Sequence, residues 1–411
     1  MNPVTLTDSA APKEEVLASA TGRPHFIGLD SLRGLAALSV VVLHMNWTNP
    51  TFHLGYVRNS YLMVDLFFVL SGFAIFYAYH AKIRSIAELV GFIWLRFWRV
   101  YPLHFLFLFI MVARELVKYP MSFFFHINHP PFEGDGWYVV LMNVLLLQGL
   151  HTVGHLTFNT PAWSISTEFA TYIVFAFLAL LIAKRSTMLI ASGILVSLSL
   201  FALCLIGSQN FLPTFDFGIF RCIAGFFTGT LVYALYEKVK EGEWSLLLSR
   251  WAGHLVVATL IAFAAFLSIK TISYSDFGII PLSALLIFFV SFAPPGSPAG
   301  FLESRPLRWL GATSYSIYMS HTLVLWLTEW SLHSFFHARE IPDRYLKTIL
   351  IVNENIGLAA AIVTIALVLL LAEIVCRWIE MPLRNWSRRY WKQRSRSKSA
   401  STEFQQSGIR A

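Results

Sequence analysis

An all-α polytopic membrane protein, a bundle of about ten transmembrane helices with both termini cytoplasmic, is the fold class that three observations predict. The 411-residue chain is 56% hydrophobic. Only 13% of it is charged, against about a quarter in soluble domains. Apolar runs long enough to cross a bilayer recur from end to end. They start near Leu32, Tyr61, Tyr101, Trp163, Thr187, Gly218, Trp251, Phe277, Thr313 and Ile351. The apolar stretch from Trp137 to Leu150 is too short to cross upright and reads as re-entrant or interfacial.

Charge orients the bundle. An even number of spans puts both termini on one side. Arg384, Arg388, Arg389, Lys392, Arg394, Arg396 and Lys398 follow the last apolar run with no acid between them, and nearly account for the net charge of +8. Such a tail suits a cytoplasmic anchor at anionic lipid better than a nucleic-acid arm, so no nucleic-acid partner is expected. Under this count Lys82, Arg84, Arg96, Arg99, Lys184, Arg185, Lys238, Lys240, Arg305 and Arg308 also fall inside. The loop from Lys118 to Ala162, with His126, His129, Glu133, Asp135, His151 and His155, falls outside. Residues 1–25 lack an apolar core, so they read as a disordered cytoplasmic leader rather than a signal peptide. Residues 26–385 form the membrane domain, and 386–411 a basic, disordered tail. Cys204, Cys222 and Cys376 have no redox or metal spacing. His151 and His155 lie beside glycines with no third ligand, and no metal is assigned.

The first run reads LDSLRGLAALSVVVLHMNW, Leu29 to Trp47. Arg33 and His44 are eleven positions apart, which on a helix is three turns plus about 20°. They share a face, separated by roughly 16 Å at about 1.5 Å per residue. Singly, Arg33 reads as a snorkelling anchor and His44 as a buried, bonded histidine. Together they suggest a track, with a cation for an anion at the inner mouth and a titratable base deeper in.

Other polar residues fall where such a track needs them. In LMVDLFFVLSGFAIF, Asp65 lies near the expected depth of His44, where a carboxylate could orient the imidazole. Ser71 and Gly72 also suit close helix packing. In WLRFWRVYPLHF, Arg96 and Arg99 are one turn apart and suit a phosphate; loop charge obeying the positive-inside rule accounts for them equally. Pro102 is expected to end or kink the turn. In TPAWSISTEFATY, Ser164, Glu168 and Tyr172 form one stripe beside Trp163. In LGATSYSIYMSHTLVLW, Ser314, Tyr318 and His321 share a face. Interhelical hydrogen bonding and a substrate cavity both account for these last two sets.

At these residues the chain resembles the acyltransferase-3 family of integral membrane O-acyltransferases. Arg33 and His44 match its arginine–histidine signature. Asp65 to Phe73, Arg96 to Pro102, Pro161 to Phe169 and Ser314 to His321 match further motifs, and Glu380 with Pro382 resembles its closing Glu-x-Pro. The resemblance implies ten helices in a bacterial plasma membrane and an acyl-CoA donor, acetyl-CoA by family habit, with no metal. It implies a glycan or lipid-linked sugar acceptor outside. It makes His44 base or acyl carrier, assisted by Asp65 and Glu168. Arg33, Arg96, Arg99 and Tyr101 would hold the donor, whose pantetheine arm matches the Arg33–His44 separation. Ser71, Trp163, Ser164, Tyr172, Ser314, Tyr318 and His321 would line the substrate cavity. A proton-coupled transporter or flippase would also carry buried His, Asp, Glu and Arg, but no internal repeat supports it.

Overall fold

A computed structural model describes residues 26–51, 53–123, 130–206, 214–269, 273–342 and 348–408, with side chains of the last helix described through Ser395. The expected leader and His126 and His129 lie outside these residues.

Thirteen helices carry the described fold. They are α1 (Ile27–Leu43), α2 (Met63–Tyr79), α3 (Ile86–Met121), α4 (Trp137–Val144), α5 (Ala162–Leu181), α6 (Arg185–Ile206) and α7 (Gly218–Lys240). Then follow α8 (Trp244–Ile269), α9 (Ile279–Phe292), α10 (Arg305–Ala312), α11 (Ser314–Phe336), α12 (Glu354–Val375) and α13 (Met381–Gly408). Short helical turns are left unlabelled. Among the described residues, 7 helices are long and apolar enough to cross a membrane. Three more stand at expected spans without meeting that measure. Of these, α1 has 17 residues and α9 has 14. The third, α11, has 23 residues but carries Ser314, Ser316, Ser320 and His321 on one segment. At 8 residues, α4 is too short to cross.

Two features depart from the sequence reading. The third helix does not break near Pro102. It runs 36 residues from Ile86 to Met121 with Pro102 and Pro120 inside, about 54 Å at 1.5 Å per residue. Its start is set by a capping box: Ser85 Oγ accepts from Glu88 N, and Glu88 Oε2 accepts from Arg84 N at 2.8 Å. Arg96 and Arg99 therefore sit within a helix rather than in the loop before one. The second departure is a two-stranded antiparallel hairpin, β1 (Arg339–Pro342) with β2 (Thr348–Ile351), between α11 and α12. It grips the chain just after His44: Thr48 N donates to Leu350 O at 3.0 Å and Leu350 N to Asn46 O at 2.9 Å. The basic segment from Trp386 begins inside α13, continuous with α12 through one wide turn, Cys376–Glu380.

The core forms where small residues let helices approach. A Cβ on Gly72 of α2 would stand 1.7 Å from Phe226 O of α7, and one on Gly229 would stand 2.1 Å from Val69 O. The Gly225-x-x-x-Gly229 spacing thus seats α7 on α2, backbone against backbone. Phe73, Phe76, Phe175, Phe226 and Tyr233 close around this crossing in edge-to-face pairs. A second close crossing joins α1 to α10, where a Cβ on Gly34 would lie 2.6 Å from the Leu310 carbonyl carbon.

Replacing Gly72 with Ala should therefore destabilise the bundle by about 1–3 kcal/mol, since backbone has to move. Gly193→Ala, on a face with nothing within 4 Å, should leave it unchanged. Thermal denaturation of the two variants in detergent checks this; equal melting temperatures would contradict the crossing.

Candidate active site

One stripe on α5 organises the polar interior. Ser164, Glu168 and Tyr172 stand one turn apart, as their spacing requires. At one end Tyr172 Oη donates to Glu168 Oε1 at 2.5 Å, so Ser71 of α2, 2.9 Å away, donates to Tyr172. At the other end the Ser164 and Tyr318 hydroxyls lie 2.8 Å apart, and both reach the Pro161 carbonyl. The expected set of Ser71, Ser164, Glu168, Tyr172 and Tyr318 is thus brought together, by three helices. Ser314, buried at the first residue of α11, lies one turn before Tyr318.

Beyond Tyr318 stand two histidines. The Tyr318 and His321 rings are 5.9 Å apart, and the His321 and His44 rings 5.2 Å. His321 is 0% exposed, and among the described residues neither ring nitrogen has a hydrogen-bond partner by distance and angle. The Ile317 and Tyr318 carbonyls of its own helix lie close to the ring. His44 is half-buried and caps the C-terminus of α1 rather than lying within a helix. Its Nδ1 is 2.8 Å from Val40 O. A carbonyl only accepts, so Nδ1 carries the proton and Nε2 is the basic nitrogen.

That carbonyl performs the task expected of Asp65. The Asp65 carboxylate is committed elsewhere: Arg221 of α7 donates to it twice, Nε to Oδ1 at 3.2 Å and Nη2 to Oδ2 at 2.6 Å. Both residues are buried, and the guanidinium also lies 5.4 Å from the centre of the Trp163 ring. Asp65 and Trp163 thus belong to a structural clamp over the start of α5. Arg221 is absent from the sequence reading. Its signal was available: a cation at the expected outer end of a span breaks the positive-inside rule and stands level with Asp65.

The arginines expected near the donor divide. Arg99 is ion-paired with Glu380, whose second oxygen accepts from Ser316 Oγ at 2.7 Å. The wide turn at Cys376–Glu380 delivers this carboxylate to Arg99. Arg96 keeps no carboxylate partner among the described residues; its Nη2 donates to Tyr79 Oη at 3.2 Å. Arg33 lies 3.7 Å from Asp30. Tyr101 does not join the arginines. It stands 140° around the helix from Arg96 at about 100° per residue, and donates to Val144 O at 3.0 Å. Nor does an open track run along α1. Ala37 and Val40 fill the face between Arg33 and His44 and are 0% and 1% exposed. The polar side chains that approach His44 stand on α5 and α11 instead.

Apolar membrane helices closed around a histidine pair and a buried hydroxyl–carboxylate chain define a polytopic membrane protein with a built polar centre. Residues 26–375 match the family model described as an acyltransferase domain, and the chain belongs to the acyltransferase-3 family of integral membrane O-acyltransferases. It is 24% identical over 400 residues to the peptidoglycan O-acetyltransferase OatA of Listeria monocytogenes, covering 88% of this chain and 56% of that protein. It is 25% identical over 384 residues to the O-acetyltransferase OatA of Staphylococcus aureus, covering 87% of this chain and 57% of that one. The chain thus spans little more than half the length of these two relatives. It is also 34% identical over 161 residues to protein 2 in the picA locus of Rhizobium radiobacter, 37% of this chain and 81% of that protein.

Breaking the clamp by Asp65→Asn or Arg221→Met should each cost about 3–5 kcal/mol, because a buried charge is left unpaired. The exchanged pair, Asp65→Arg with Arg221→Asp, should recover part of the loss. Melting temperatures of the three variants test this, and unaltered single variants would contradict it.

Proposed function

We propose that this protein moves an acetyl group from acetyl-CoA, bound from the cytoplasm, to a hydroxyl of an extracytoplasmic glycan or lipid-linked sugar. The reading places it in a bacterial plasma membrane, with ten spans and both termini inside. The observation that carries it is the pair of histidines, 5.2 Å apart, at the head of the α5–α11 polar chain. His44 Nε2 takes the acceptor hydroxyl's proton as the oxygen attacks the thioester carbonyl. The C–S bond breaks, and the proton passes from the imidazolium to the departing thiolate. Family membership and the O-acetyltransferase relatives support the chemistry; the acceptors of those relatives are their own.

For the donor's phosphates, Arg96 is the better suited of the expected cations, since Arg99 is matched by Glu380. Lys82 lies 5.3 Å from the centre of the same Tyr79 ring as Arg96, adding charge at the inner mouth. Glu168 belongs to the hydroxyl chain and shares the interior with both arginines.

Two measurements test this in proteoliposomes given radiolabelled acetyl-CoA and de-O-acetylated envelope glycan. His44→Ala should lower transfer by about 100-fold or more, the usual range for loss of a general base. Full activity would remove the proposal. Arg96→Ala should raise the KM for acetyl-CoA about tenfold with little change in kcat; a loss confined to kcat would count against phosphate contact. Quenching without acceptor separates the two routes to product: label on His44 marks an acyl-histidine intermediate, and its absence marks direct transfer.

A further inference from the structure

The chain leaves His44 into a clasp built from distant segments. α1 ends at Leu43 without a left-handed glycine cap; His44 itself closes it, at φ −87° and ψ 5°. The last carbonyls of a helix lack intrahelical donors, and such ends fray unless held from outside. Here the hold comes within four residues of His44. Trp47 pairs in parallel with Leu350 of β2, and Leu350 stands opposite Glu340 of β1 on its other edge. Residues 46–48 thus run as a third strand beside the hairpin.

Two side chains lock that strand to α12. Thr48 Oγ1 donates to Val352 O at 2.8 Å and accepts from Val352 N at 3.0 Å. One hydroxyl therefore serves both backbone groups of the residue that leads into the helix. Trp47 is 0% exposed, and its Nε1 donates to Gly357 O at 3.0 Å, in the first turn of α12. The approach is so close that a Cβ on Gly357 would lie 1.9 Å from Thr48 O. The start of α12 is itself fixed, since the Asn353 side chain caps it by accepting from Asn355 N.

The other strand reaches the helix of the second histidine. Glu340 Oε1 lies 2.8 Å from His333 Nε2, in the last turn of α11. His337, left-handed at φ 49°, then turns the chain from α11 toward β1. One hairpin thus ties the end of the helix that leads to His44 to the end of the helix that carries His321.

We propose that this clasp positions the transfer site, with Thr48 and Trp47 as positioning residues that act through His44. They hold the end of α1 at one depth and so set the imidazole against His321, with Nε2 turned to the proton it takes. This rests on the base role given to His44 above.

Steady-state kinetics in proteoliposomes test the assignment, with acetyl-CoA as donor, de-O-acetylated envelope glycan as acceptor, and rates normalised to inserted protein. Thr48→Val keeps the shape of the side chain and loses the hydroxyl. It should lower kcat about tenfold, as a sub-ångström misplacement of a reacting group does, with both KM values within about twofold of wild type. Thr48→Ser restores the oxygen and should regain most of the rate. Should Thr48→Val fail to insert, Trp47→Phe removes the indole N–H and carries the test with the same expectation. An unchanged kcat, or equal losses in the Val and Ser variants, overturns the positioning role and leaves the base role standing. A rise in either KM at unchanged kcat assigns the strand to a binding surface and also overturns it. A His44→Ala variant as active as wild type overturns the base role and the clasp together.

Discussion

The bidentate tie between Asp65 and Arg221 is the interaction on which the rest of the site depends. Two charges in an apolar bundle are stable only when matched in geometry as well as sign. The pair forms because Gly72, Gly225 and Gly229 bring α2 and α7 to backbone contact, so the two side chains need little reach. Arg221 then lies beneath the Trp163 ring and fixes where α5 begins. From that start follow the Ser164–Tyr318 contact, the placement of His321, and the meeting of His321 with His44. A packing device at one crossing is thus linked to the histidine pair through three helices.

The same constraint explains how charge is used elsewhere. Polar groups inside the bundle are mostly consumed by one another: Arg99 by Glu380, Glu168 by Tyr172, Ser71 by Tyr172. What is left unmatched stands out against that background. Among the described residues, Arg96 has no carboxylate partner and the His321 ring nitrogens have no hydrogen-bond partner.

Much of this was legible in the sequence because a polar residue in an apolar run is conspicuous. The stripe Ser164–Glu168–Tyr172 and the face Ser314–Tyr318–His321 follow from helical periodicity alone, and the structure brings them together. The partners were less legible. Arg33 and His44 share a face as their spacing requires, yet Ala37 and Val40 pack that face shut, and no one-helix argument reveals what a neighbouring helix fills. Asp65 was assigned to the histidine at its expected depth, when the nearer charge was on a helix 156 residues away. Pro102 read as a break because its cost is local, whereas long-range packing of α3 outweighs it. The hairpin that holds the chain after His44 lay in a stretch with no apolar periodicity to announce it.

The proposed transfer places His44 beside His321, rings 5.2 Å apart, and is strongest if the two act as one unit. A double-mutant cycle on kcat tests it most directly, using His44→Gln, His321→Gln and the combined variant under saturating donor and glycan. Groups that act together lose most of their effect with the first removal, so the double variant should be little slower than the worse single one. Losses that multiply, each substitution costing as much in the other's absence, would show two independent side chains and contradict the account.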